Sequence, residues 1–351
     1  MKILVIKPSS LGDVIHALPF LKALRDAFPE ALIDWVISKN LKGILEDNPL
    51  INELVIFNKD AWKHVKNLPD TISEISALKK TLKSKHYDML IDLQGLLRSG
   101  IIGFFTPATT KIGYQDAREG SRYFYDKKIR VNKNLHAVDR HLAVARAIGA
   151  KSAKAQFPLH ITPAAADRAK KLLGNIGEYI VIAPSARWLT KRWQTEDYAS
   201  LINKISLPCL ITGSRTDRQI AQTITKISAQ SEPETAKNHS KKPEKAKTII
   251  NLCGKTDLKE LTALIAGAKA VVSNDSGPMH IAAALDIPTI AIFGPTDPAK
   301  TGPYGWGKNR KLKVIKADVP CSPCRRKRCN KFICMKNIGV ETVYKALKEY
   351  L

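Results

Sequence analysis

Short apolar runs alternate along the chain with longer stretches in which apolar residues recur every three or four positions. In the first half the runs are KILVIK, LIDWVIS, ELVIF and YDMLIDLQG, and the intervening VIHALPFLKALRDAF has helical spacing. A second series starts at EYIVIAPS and continues through LPCLITGS, AKAVVSND and PTIAIFGP. Runs this short and this continuously apolar predict strands of parallel sheets buried on both faces, with helices as the crossovers. Two such series predict two doubly wound, Rossmann-like α/β domains. Their expected bounds are 1–160 and 178–320, joined by a link at 161–177 that carries Pro163, Gly174 and Gly177. Residues 321–351 read as a cysteine-rich tail closed by a helix, because Val340, Val343, Leu347 and Leu351 keep helical spacing. Residues 228–247 contain alanine but no larger aliphatic or aromatic side chain, and they are expected to form a flexible insertion.

The length of 351 residues agrees with about two domains. No apolar run approaches the ~18 residues of a membrane span, and the chain starts as a strand with Lys7 close behind. The expectation is a cytoplasmic protein without signal peptide or transmembrane helix. A formal net charge of +25 changes the picture. It points to nucleic acid, an anionic membrane surface or a phosphorylated substrate as partner. Residues 308–331 hold ten basic residues and one acidic residue, which makes them the candidate for contact with anionic lipid. Nucleic acid is the reading from another functional class. Against it, the basic tail lacks interleaved aromatic residues, with only Phe332 nearby.

Four of the six cysteines, Cys321, Cys324, Cys329 and Cys334, form a C-x2-C-x4-C-x4-C pattern. In a reducing compartment that spacing favours a closed tetrahedral zinc or iron site of structural character; reduced thiols without metal are the plain alternative.

The candidate chemistry lies where strands run into helices. KPSSLGDVIHALP follows the first strand with neither a G-x-G-x-x-G nor a P-loop, and offers instead one carboxylate, Asp13, at the mouth of a helix. AVVSNDSGPMHIAAALDIPTIAIFGPTDP, residues 270–298, predicts a buried strand, a polar loop at 274–277 and a helix opened by Pro278. Such a loop aims backbone N–H groups and a positive dipole end at an anion, best a phosphate, with His280 in the same first turn. Taken alone, Asp275 and Ser276 also fit plain helix caps. CGKTDL contains GKT, but Ile249 stands where a P-loop needs its first glycine.

SSLGDVIHALP, IDLQGLLRSG, the K-x-W of Lys191 and Trp193, and DSGPMH with GPTDP occur in this order over most of the chain. The ordered set resembles the bacterial lipopolysaccharide heptosyltransferases of glycosyltransferase family 9, and DAREGSRYFYDKKIRVNKNLHAVDR is most similar to the heptosyltransferase I branch. The resemblance implies a GT-B architecture, with two Rossmann-like domains facing a central cleft. The acceptor would be held by the first domain and the nucleotide sugar by the second. It implies inverting transfer of heptose from ADP-heptose to Kdo-modified lipid A at the inner face of the inner membrane. A related acceptor, such as heptosylated core or a protein, is the alternative within the class. Asp13 would be the base and Lys191 would neutralise the leaving diphosphate, with no cofactor required, in keeping with the lack of a D-x-D pair. Ser185, Asp217, Thr256, Asp275, Ser276, Gly277, His280 and Thr296 would line the donor. Ser10, Gly12, Lys63, Gln94, Arg98, Arg118 and His136 would meet the acceptor.

Overall fold

The computed structural model describes residues 1–58, 68–151, 154–230 and 248–351. Lys63, with its neighbours Trp62, His64 and Lys66, lies outside the described residues. The chain divides into two compact units, Met1–His160 and Ile161–Leu351.

In the first unit the strands are β1 (Lys2–Ile6), β2 (Leu32–Ser38), β3 (Glu53–Phe57), β4 (Tyr87–Asp92), β5 (Ala108–Tyr114) and β6 (Lys127–Ile129). Their order is β3-β2-β1-β4-β5-β6, parallel at every pairing, with Ile3 opposite Ile33 on one side and Met89 on the other. The strand order reverses between β1 and β4, which makes their carboxyl ends the switch point of the sheet. Helices α1 (Leu11–Ala27), α2 (Leu68–Lys83), α3 (Leu97–Phe105) and α4 (Ala137–Ala147) cover it. Ile3 to Ile6 are fully buried because a central parallel strand has helices on both faces. Helix α1 departs from the expected amphipathic pattern. Every residue from Val14 to Leu21 is buried, His16 and Pro19 included, because the helix packs against α4 as well as the sheet.

The second unit repeats the plan. Its strands are β7 (Ile180–Ala183), β8 (Cys209–Ile211), β9 (Ile249–Asn251), β10 (Ala270–Asn274), β11 (Thr289–Phe293) and β12 (Leu312–Lys316), in the order β12-β11-β10-β7-β8-β9 and again parallel. The helices are α5 (Pro163–Leu173), α6 (Thr195–Lys204), α7 (Arg218–Gln230), α8 (Leu258–Ala266), α9 (Gly277–Ala284), α10 (Pro298–Thr301), α11 (Ile333–Lys336) and α12 (Val340–Lys348). Most of the stretch read as a link is α5, which packs on α8 and carries an ion pair from Arg168 to Glu260 at 3.0 Å. Met335, Ile338, Val343 and Leu347 sit in the same core as Ile180, Tyr198 and Ile290, so the tail is part of this unit.

The expected insertion at 228–247 lies outside the described residues from 231 onward. Residues 228–230 correct that expectation, since they form the last turn of α7. Ser228 is buried, its hydroxyl bonds to Asn203 Oδ1, and its carbonyl accepts from Asn203 Nδ2 at 3.2 Å. The anchor is polar, so counting aliphatic residues missed it.

Candidate active site

At the switch point of the second unit, β7 and β10 run side by side. Asp275 follows β10 and is buried, with only 6% of its surface exposed. Lys191 Nζ lies 2.6 Å from Asp275 Oδ2, and the Thr296 hydroxyl donates to the same oxygen at 2.5 Å. Lys191 comes from the loop after β7 and Thr296 from the loop after β11, so three loops converge on one carboxylate. Asn274 braces them: its Oδ1 accepts from Trp193 N at 3.1 Å and its Nδ2 donates to Pro184 O at 2.6 Å. Neither Asp275 nor Ser276 is a plain helix cap. Ser276 holds the N-cap position of α9 without a side-chain capping bond, and its Oγ lies 3.1 Å from Ser273 Oγ. Gly277 and Pro278 open α9, whose N-terminus carries partial positive charge, and His280 is buried in its first turn. Ser185 Oγ, after β7, is buried without a hydrogen-bond partner among the described residues.

Asp217 and Thr256 stand further along the same edge, after β8 and β9. Two and three strand spacings put those loops roughly 10 and 14 Å from β10. The Asp217 carboxylate closes its own turn, Oδ2 accepting from Ser214 N at 2.8 Å and Ser214 Oγ at 2.5 Å.

The switch point of the first unit is built differently. Ser10 is the N-cap of α1 and Gly12 lies in its first turn. Asp13 Oδ2 accepts from Ser10 N at 2.9 Å and Ser10 Oγ at 2.7 Å, which fixes the carboxylate at the helix mouth. Lys7, at the end of β1, is buried and donates to Leu93 O at 3.1 Å. Burial pushes its ammonium below the usual lysine range, opposed by the nearby Asp13 and Asp92 carboxylates and reinforced by Arg118 and Arg140. Asp92 is raised by burial, although Oδ2 accepts from Tyr125 OH at 2.6 Å and Oδ1 from Gln94 N and Gly95 N at 2.8 and 3.0 Å. Those bonds shape the loop that carries Gln94 and leads to Arg98. The Gly95 carbonyl accepts from Arg118 N at 2.9 Å, which joins this loop to the one after β5.

Helix α4 completes the group. His136 caps it through Nδ1, which accepts from Val138 N at 3.2 Å, and its ring meets that of His16 edge-on at 4.9 Å. His141 Nδ1 and Tyr114 OH are 2.6 Å apart and buried. Burial first, then the charge of Lys7, holds the His141 imidazolium well below its ordinary range. Arg140 grips Asp116 through both carboxylate oxygens at 2.8 and 2.9 Å. Asp13, Gln94, Arg98, Arg118 and His136 therefore share one sheet edge, around a core of Lys7, Asp92, Tyr114, Arg140 and His141 that the sequence reading did not select. A lysine immediately after a buried strand, and an aspartate ending another, were the signals available.

The cysteine tail embraces the loops around Asp275. Ser322 Oγ donates to Gly294 O at 2.7 Å, Arg325 N to Pro295 O at 2.7 Å, and Thr190 Oγ1 to Arg326 O at 2.9 Å. Trp188, also missed, has Lys191 and Lys327 over its ring at 4.8 and 5.4 Å. Cys321 is exposed, Cys324 and Cys329 are half-buried and Cys334 is buried. Among the described residues no three His, Cys, Asp or Glu side chains are gathered to hold a metal ion. Within 308–331, Lys311 pairs with Asp286 at 2.5 Å and Lys313 pairs with Glu349, which removes two cations from the segment expected to meet lipid. No helix among the described residues is long and apolar enough to cross a membrane.

Comparison with known proteins shows the family and the fold. The model of glycosyltransferase family 9 (heptosyltransferase) matches residues 75–332. The chain is 32% identical over 343 residues to lipopolysaccharide heptosyltransferase 1 of Pseudomonas aeruginosa, an alignment covering 94% of this chain and 87% of the relative. Against lipopolysaccharide heptosyltransferase 1 of Escherichia coli K12 the identity is 30% over 325 residues, covering 88% and 92%. The solved structure of E. coli ADP-heptose lps heptosyltransferase II matches with a TM-score of 0.78 at 25% identity, covering 100% of this chain and 98% of that one. The two six-stranded α/β units are those of the GT-B heptosyltransferases.

Proposed function

The chain belongs to glycosyltransferase family 9, and on that premise we propose that it transfers L-glycero-D-manno-heptose from ADP-heptose to Kdo-modified lipid A during inner-core synthesis, with inversion at the sugar. The observation that supports this most is the convergence of Lys191 and Thr296 on Asp275 beside the N-terminus of α9. A buried carboxylate, an ammonium and a helix dipole at a switch point suit a sugar diphosphate: the carboxylate accepts from sugar hydroxyls, and the cation and amides take the phosphates. Ser185, Ser276, Gly277, His280 and Thr296 would border the diphosphate, while Asp217 and Thr256 would face the nucleoside further along the edge.

In the step itself an acceptor hydroxyl attacks the anomeric carbon from the face opposite the diphosphate. The anomeric carbon–oxygen bond to the diphosphate breaks as the new one forms, and ADP departs with the electron pair. The hydroxyl proton passes to Asp13, whose orientation is fixed by Ser10 and whose ionised form is favoured by the α1 dipole. Lys191, held beside Asp275 before the donor arrives, offsets the charge that develops on ADP. On this reading the catalytic step needs no metal, and turnover does not depend on added Mg²⁺. Gln94, Arg98, Arg118 and His136 would hold the acceptor's carboxylates and phosphates.

The direct test is mass analysis after incubation with ADP-heptose and Kdo-lipid A. A gain of one heptosyl unit on the lipid is expected; heptosylation only of an already heptosylated core would move the assignment within the family. A structural zinc or iron ion on Cys321, Cys324, Cys329 and Cys334 is a separate proposal, supported by their spacing and their common segment. Elemental analysis of unchelated protein should find about one ion per chain. Four titratable thiols without metal would refute it.

A further inference from the structure

Helix α3 starts at the candidate acceptor loop and turns one row of side chains outward. Leu97, Ile101 and Phe104 fall on one face at i, i+4 and i+7. Leu97 is 42% exposed and Phe104 60%, while Ser99, Gly100, Ile102 and Gly103 on the other side are buried. The 3-10 turn Ser121–Phe124 lies against this helix. A Cβ on Gly100 would come within 2.6 Å of the Phe124 ring, and the Phe104 and Phe124 rings are 5.7 Å apart. Tyr123, in the same turn, is 73% exposed. These are three of the few large apolar side chains the described residues leave open, and they occur on two touching elements.

Charge surrounds them. Arg98, Arg118, Arg122 and Lys128 are exposed beside the patch, against Glu119 and Asp126. Arg122 Nη2 donates to Tyr123 OH at 2.8 Å with its guanidinium over the ring at 4.9 Å, and Lys111 Nζ donates to Phe104 O at 3.3 Å. Projecting aromatic and aliphatic side chains set among cations suit the interface of an anionic bilayer, where the rings enter the headgroup layer and the cations meet phosphate. Residues 308–331 are basic but show no exposed large apolar side chain. Their attachment would be electrostatic only.

We propose that the outer face of α3 together with the Ser121–Phe124 turn is the surface on which the enzyme rests on anionic phospholipid. This deepens the proposed function: a lipid-anchored acceptor would be met in the membrane plane, and Arg98 and Arg118 border both the patch and the acceptor loop. Over the seven steps from Leu97 to Phe104 the helix rises about 10 Å, so the patch begins three positions after Gln94 and ends within one short helix of it.

The test compares wild type with the double variant Phe104→Ser/Tyr123→Ser, and with Tyr123→Ser alone, whose largely exposed ring leaves little packing to lose. Partition is measured on vesicles of phosphatidylglycerol and phosphatidylethanolamine, with and without Kdo-lipid A. The double variant should partition at least about tenfold more weakly, the single variant by a smaller factor in the same direction. Turnover should fall on vesicle-embedded Kdo-lipid A and stay unchanged on a water-soluble, fully deacylated Kdo acceptor. Unchanged partition of both variants would overturn the proposal, as would conversion of a dimer to monomers with vesicle binding intact, which would make the patch a contact between copies. Equal loss of turnover on both acceptors would also overturn it. If wild type transfers heptose to neither acceptor, the proposed function fails, yet the partition measurement still decides the docking surface.

Discussion

The two sheets have the same strand order and put their switch points at equivalent places, β1 beside β4 and β7 beside β10, yet the polar groups there are organised in opposite ways. In the second unit one buried carboxylate, Asp275, receives a lysine and a hydroxyl from two neighbouring loops. In the first unit a titratable core of Lys7, Asp92 and His141 is sealed beneath the loops, and the carboxylate of Asp13 is held by its own helix cap. The contrast shows what a repeated scaffold leaves open. The backbone fixes where a ligand can lie, and the loop residues decide whether the place favours an anion or a proton.

The comparison breaks most visibly at the two carboxylate ends. Asp13→Asn keeps an acceptor for Ser10 and so should keep the fold, while turnover drops by roughly 10²–10⁴-fold because the base is gone. Steady-state kinetics checks this, and near-normal turnover would remove Asp13 from its role. Lys191→Met should lower turnover by roughly 10²–10³-fold, the cost of one lost electrostatic stabiliser, and near-normal turnover would remove Lys191 from its role. The same substitution leaves Asp275 buried with Thr296 as its remaining donor, so chemical denaturation should show a loss of a few kcal/mol, about 3–5 in the fully buried limit.

Smaller effects sharpen the contrast. Gly294 packs where a Cβ would run into Met335 of the tail and come within 3.2 Å of Thr190 O. Gly294→Ala should therefore destabilise the second unit by about 1–3 kcal/mol and weaken donor binding, because Thr296 follows on the same loop. In the first unit, His141 has a folded-state proton affinity well below that of the unfolded chain, whose value is near 6.5. Below that pH the unfolded state binds the proton and the folded state does not. Stability is thus full above about pH 6.5 and falls by about 1.4 kcal/mol per pH unit as acid is added. Denaturation midpoints between pH 7 and pH 5 should show this slope reduced by one proton in His141→Gln. An unchanged slope would mean that His141 is charged in the fold.

The strands were legible because continuous apolar runs mean burial on both faces, and KILVI, IVIA, AVVSN and TIAIF all appear as central strands. Asp275 stood out because it lies between a buried strand and a helix opened by proline, whereas Lys191 and Thr296 were marked by the resemblance of the K-x-W and GPTDP motifs. Lys7, Asp92 and His141 did not, since their meeting depends on β1 lying beside β4 and on α4 crossing α1, which no local pattern encodes. Trp188 and the tail's grip on Thr190, Gly294 and Pro295 were hidden for the same reason: Thr190 and Arg326 are 136 positions apart. The tail's cysteines drew the eye to metal, while the bonds that tie it to the loops around Asp275 come from a serine hydroxyl and main-chain groups that composition does not mark.

In the proposed reaction the two sheet edges divide the work, with the second unit holding the nucleotide diphosphate and the first taking the proton. Calorimetric titration of ADP into wild type, Asp13→Asn and Lys191→Met tests it most directly. Asp13→Asn should bind ADP as wild type does, and Lys191→Met should bind it at least about tenfold more weakly. ADP affinity lost in Asp13→Asn and retained in Lys191→Met would contradict it.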